Sequence, residues 1–100
     1  MNRLNEYSAV IGQLCQRHRV KTLYAFGSVL TEDFGEKSDV DLVVDFGPIA
    51  VDDYADNYFD LKFSLQDVLQ RPVDLLEEQA LHNPYFRRVI QQQKQLIYTR

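Results

Sequence analysis

Apolar positions along this chain follow two periods, and the switch between them divides it into elements. Leu4, Tyr7, Ile11, Leu14, Cys15 and His18 recur every three or four residues, predicting an amphipathic helix over 3–18. Residues 21–26 are rich in β-formers and stop at Gly27, which predicts a strand. Ser28 is placed to cap a short helical segment, and Gly35 marks the turn after it. Val40, Leu42, Val44 and Phe46 then alternate with Asp39, Asp41, Val43 and Asp45, the period of a half-buried strand that Gly47-Pro48 ends. Asp52 is the expected N-cap of a long helix with Tyr54, Tyr58, Leu61, Leu65, Val68 and Leu69 on one stripe. Phe59 and Phe63 lie off that stripe; packing under the last helix is the expected use for them, exposure to a partner the other. Pro72 introduces a strand over 73–76, and Asn83-Pro84 supplies N-cap and N1 for a final helix over 85–96. The order is α/β (α+β): a small mixed sheet of about three strands flanked by helices, in one domain over 1–100.

Composition narrows the function. The formal charge of −4 argues against direct nucleic-acid binding, which needs a concentrated basic face. Arg17, Arg19 and Lys21, and Arg87 with Arg88, read as solvated helix ends. The single cysteine, Cys15, can form no internal disulfide and sits on an apolar helical face as a small buried hydrophobe. No signal peptide or membrane-length apolar run is present, so the chain reads as cytoplasmic. His18 and His82 have no partner at metal-ligand spacing and read as solvated or core-edge residues.

The chemistry gathers around AFGSVLTEDFGEKSDVDLVVDF, residues 25–46. Alternate strand residues point the same way, so Asp39 and Asp41 present carboxylates about 6.5–7 Å apart. That suits oxygen ligands converging on a hard cation such as Mg²⁺. A bare D-x-D is most often only an acidic strand face, and a bare Gly-Ser turn only the end of a strand. Their relative placement adds meaning. If the two strands run antiparallel, the Gly27-Ser28 turn and the D-x-D fall side by side. A third strand parallel to the second would bring Asp74 to the same corner. Three carboxylates beside a turn whose amides and hydroxyl can hold phosphate make a metal-nucleotide arrangement.

FGS, nine residues, SDVDLVV and a downstream RPVDLL resemble the signature of the DNA polymerase beta-type nucleotidyltransferase superfamily. The small size is similar to its minimal nucleotidyltransferases, and the likeness extends over residues 8–98 through NPYFRRVI and QLIY. The resemblance implies Gly27 and Ser28 as the triphosphate-binding pair and Asp39 and Asp41 as metal ligands. It makes Asp74 a third carboxylate, either ligand or base for the attacking hydroxyl. Asp45 matches no such position and reads as a solvated strand-end acid. The implied cofactor is Mg²⁺ (two ions), with ATP as substrate. Many members carry an arginine soon after the Gly-Ser, where this chain has Val29, Leu30 and Thr31; Lys37 reads as a surface lysine.

Many such minimal proteins are antitoxins paired with all-helical HEPN ribonuclease toxins. The resemblance therefore implies transfer of AMP to a tyrosine hydroxyl of a HEPN partner. Two other readings follow from it: an antitoxin that neutralises its toxin by contact alone, and a detached subunit that modifies a small molecule.

Overall fold

Each hydrophobic period settles into its own layer in the computed structural model, which describes residues 6–26 and 39–100. Helix α1 (Ser8–Arg17) buries Ile11, Leu14 and Cys15, the face its periodicity marks. It stops at His18, after which Arg19 takes a left-handed φ of 60° and turns the chain into β1 (Val20–Phe26). Strand β2 (Val40–Phe46) follows, and then α2 (Val51–Leu69), which buries Leu61, Leu65 and Leu69. Strand β3 (Val73–Glu77), a single 3-10 turn (Glu78–Ala80), α3 (Pro84–Gln93) and β4 (Gln95–Thr99) complete the order.

The sheet runs β3-β2-β1-β4. β1 is antiparallel to both β2 and β4, while β2 and β3 are parallel and joined across α2. Period-two alternation sends Leu23 and Ala25, Leu42 and Val44, and Val73 and Leu75 to one face, where they meet α1 and α2 in a single cluster. Leu61 and Leu65 are wholly buried there, each worth about 1.5–3 kcal/mol of transfer free energy. The opposite face carries Tyr24, Phe26, Asp41, Val43 and Asp74 by the same alternation. α3 lies over part of it: its buried Ile90 shares a narrow cleft with Tyr24, Val43 and Leu81, and Lys94 Nζ stands 4.1 Å from the centroid of the Tyr24 ring.

The mixed sheet flanked by helices is as expected, but it has four strands where the pattern indicated about three. The extra one, β4, comes from residues assigned to the end of the last helix. That helix ends at Gln93, and Lys94 is extended, with ψ 145°. Leu96, Ile97 and Tyr98 gain more by pairing with β1 than another helical turn would give, because Ile97 and Tyr98 pack on the core. α2 likewise begins before Asp52: Ala50 is its N-cap, without a side-chain bond, and Asp52 and Asp53 lie in the first turn where the helix dipole favours acid. Asn83 caps α3 as expected, its Oδ1 accepting from Tyr85 N at 2.9 Å and Phe86 N at 3.2 Å.

His18 is the clearest correction among single residues. It is neither solvated nor at the core edge but 3% exposed. Its Nδ1 is 2.7 Å from the Leu14 carbonyl and its Nε2 2.7 Å from Asp60 Oδ2 on α2. Asn57 Nδ2 donates to the His18 carbonyl at 2.9 Å, so the end of α1 is tied to α2 twice. Cys15 is buried as expected, and burial pushes its thiol up to about 12. No helix among the described residues is long and apolar enough to cross a membrane.

Candidate active site

Strand register decides which acids meet. Asp41 pairs with Asp74 across the parallel β2/β3 contact and with Phe26 across the antiparallel β1/β2 contact. Directly paired residues share a face, so Phe26, Asp41 and Asp74 form one row across the sheet. Neighbouring strands lie about 4.8 Å apart, which puts the two carboxylates within direct electrostatic reach. Asp39 stands just ahead of β2, exposed, and Val40 N bonds the Pro72 carbonyl at 2.9 Å, fixing how β2 and β3 begin together. The antiparallel and parallel pairings expected for these three strands are thus both present.

The electrostatics carry the mark of that crowding. Half-burial holds the Asp41 carboxyl above its ordinary range, and the charges of Asp74 and then Asp39 push it the same way. Asp41 therefore feels both of the other acids. Such a cluster of hard, repelling oxygens fits the chemistry of a Mg²⁺ site, because a divalent cation would relieve the repulsion. Among the described residues, no three side chains of ligand type already converge on a metal-sized space. Gly27 and Ser28, together with Gly35, Lys37 and the Val29-Leu30-Thr31 stretch, lie outside the described residues. Asp45 is apart from the cluster, half-buried and opposite Thr22, rather than a fully solvated strand end.

Below this row, α2 braces β3 through two tyrosines. The Tyr58 hydroxyl donates to the Leu75 carbonyl, one residue past Asp74, and the Tyr54 hydroxyl donates to Glu77. Burial raises both phenols, and nearby acids, Glu77 foremost, add to the shift. In the sequence these tyrosines are indistinguishable from the leucines that continue their stripe; only their place opposite a strand end separates them. Phe59 and Phe63 do not pack under α3. They stack on each other on the outer surface of α2, centroids 6.0 Å apart and planes 25° apart, and are 49% and 57% exposed. Beside the acids, Phe26 meets Phe86 of α3 edge to face, at 6.4 Å and 81°.

Residues 8–97 match the nucleotidyltransferase domain family. The chain belongs to that family. It is a nucleotidyltransferase, and its relatives carry related names. One from Methanocaldococcus jannaschii, "Putative protein adenylyltransferase", is 36% identical over 85 residues, covering 85% of this chain and 82% of the relative. Among solved structures, a "putative minimal nucleotidyltransferase" superposes with a TM-score of 0.76 at 28% identity, over 95% of each chain. A complex of a tri-AMPylated Shewanella oneidensis HEPN toxin with MNT antitoxin shares the fold, with a TM-score of 0.63 at 20% identity, over 100% of this chain and 74% of that one. In this nucleotidyltransferase the row of Phe26, Asp41 and Asp74 thus spans β1, β2 and β3.

Proposed function

We propose that this nucleotidyltransferase is a cytoplasmic antitoxin of a single minimal domain that moves AMP from ATP to a tyrosine hydroxyl of a HEPN ribonuclease toxin. The observation that carries the reading is the register pairing of Asp41 with Asp74, with Asp39 two residues before Asp41. The relative named for protein adenylylation and the fold shared with an MNT antitoxin support it.

In this reading Asp39, Asp41 and Asp74 would hold Mg²⁺ (two ions), which when bound neutralises phosphate charge and polarises the α-phosphoryl group. Gly27 and Ser28 hold the triphosphate through backbone amides and a hydroxyl. The tyrosine oxygen attacks the α-phosphorus, its proton passing to the Asp74 carboxylate. A new O–P bond forms as the bond to the leaving pyrophosphate breaks. The chain's own residues act mainly by positioning the two oxygens and by setting the local charge.

The deciding experiment incubates the protein with its HEPN partner, Mg²⁺ and labelled ATP, and weighs the partner. One AMP or more should be added by the wild type. Asp74→Asn should bind the partner normally and slow transfer on the order of 10³-fold. The exposed Phe59–Phe63 stack favours a second reading, a surface that blocks the toxin by contact. If Asp74→Asn neutralises the toxin as well as wild type does, and neither adds mass, contact inhibition is the function. Phe59→Ala with Phe63→Ala should weaken docking and spare nucleotide binding.

A further inference from the structure

We propose that Phe26 and Phe86 form the corner against which the purine ring of the donor nucleotide stacks, an assignment that rests on the reading of Asp41 and Asp74 as transfer-site carboxylates. Phe26 is the register partner of Asp41, so its ring stands on the carboxylate face of the sheet, about 4.5–5.5 Å away strand to strand. The neighbouring Ala25 faces the core instead and is fully buried. Phe86 comes to the same place from above. Its backbone N–H donates to Asn83 Oδ1, which fixes it in the first turn of α3.

The two rings are nearly perpendicular, at 81°, so they present two π-faces around one corner rather than a single slab. A purine can stack on one face while directing its electropositive C–H and N–H edge at the other. Packing alone does not account for the pair. α3 is already anchored on the sheet by Ile90, one turn further on and 3% exposed, whereas Phe86 leaves 39% of its surface open. The corner also adjoins the Asp41–Asp74 pair, and a base is tethered to its phosphates through one ribose. Stacking of this kind tolerates any base but is strongest with the larger purine face.

Titration calorimetry with Mg²⁺ and ATP, UTP or inorganic tripolyphosphate tests the assignment. Phe86→Leu keeps the apolar contact with Phe26 and removes the stacking face. It should weaken ATP binding on the order of tenfold, UTP binding less, and tripolyphosphate binding not at all. Phe86→Trp should restore ATP affinity and the purine preference. Unchanged ATP affinity in Phe86→Leu, or an equal loss for all three ligands, overturns the stacking role while the carboxylate site stands. A wild-type protein that binds none of the three overturns both.

Discussion

At the scale of single residues, the acids work against the fold they sit in. Asp41 is half-buried between two like charges, and its raised carboxyl measures that opposition. A carboxyl raised by folding favours the folded state below its ordinary titration range, and that contribution is lost as pH rises through the shifted value. At neutral pH the charge therefore costs stability. Mg²⁺ with ATP should raise the melting temperature of wild type; Asp39→Asn with Asp41→Asn should abolish that rise and leave the free protein as stable as wild type or more so. A nucleotide-dependent rise that survives in the double variant would place the metal elsewhere. Cys15 makes a second residue-level case. Its thiol stays protonated to about pH 12 when folded but ionises near 9 when unfolded. Stability should fall as pH climbs from 9 towards 12, by about 1.4 kcal/mol per pH unit from this group, and the raised phenols of Tyr54 and Tyr58 act in the same direction. Denaturant titrations at pH 8 and pH 10 should show a smaller difference in Cys15→Ala than in wild type.

Between elements, legibility depends on whether the partner is near in sequence. The D-x-D, the Asn83-Pro84 cap and the stripe of α2 are local signals, and each element they mark is present. The parallel placement of β3 could be inferred because α2 is long enough to cross the sheet. The boundary between α3 and β4 carries no glycine or proline, so nothing local separates Gln93 from Gln95. His18 was opaque for another reason: its partner Asp60 is 42 residues away, and no periodicity announces it. That pair has unequal halves. The imidazole is buried with both nitrogens bonded, whereas the Asp60 side chain is 71% exposed. Losing the ring opens a cavity and strands two hydrogen bonds, so His18→Ala should cost about 2–3 kcal/mol. Asp60→Ala should cost about 1 kcal/mol or less, since water can replace and screen the carboxylate. Equal losses by chemical denaturation would show that the contact with Asp60, not the burial of the ring, joins α1 to α2.

For the molecule as a whole, the sheet keeps two strands, β2 and β1, in its middle, between β3 and β4. β1 is hydrogen-bonded along both edges, β2 carries the paired acid, and the α1/α2 layer supplies one core beneath them. That layer was readable from the two hydrophobic periods; the fourth strand was not, since it depends on β1 having an open edge to fill. That dependence reaches into how the chain is made. β1 is made well before β4, yet Thr22 pairs with Thr99. Closing so long a loop is entropically slow, so β1 waits with a row of unpaired amides and carbonyls on offer. Such an edge is a template for any other strand. A chain stopped at Lys94 should keep α1, α2 and the acid pair but self-associate through β1, visible as concentration-dependent oligomers in size exclusion that a peptide of residues 95–100 suppresses. On this view residues 95–100 act as a built-in cover for β1, and how cleanly the chain folds depends on how soon they reach it.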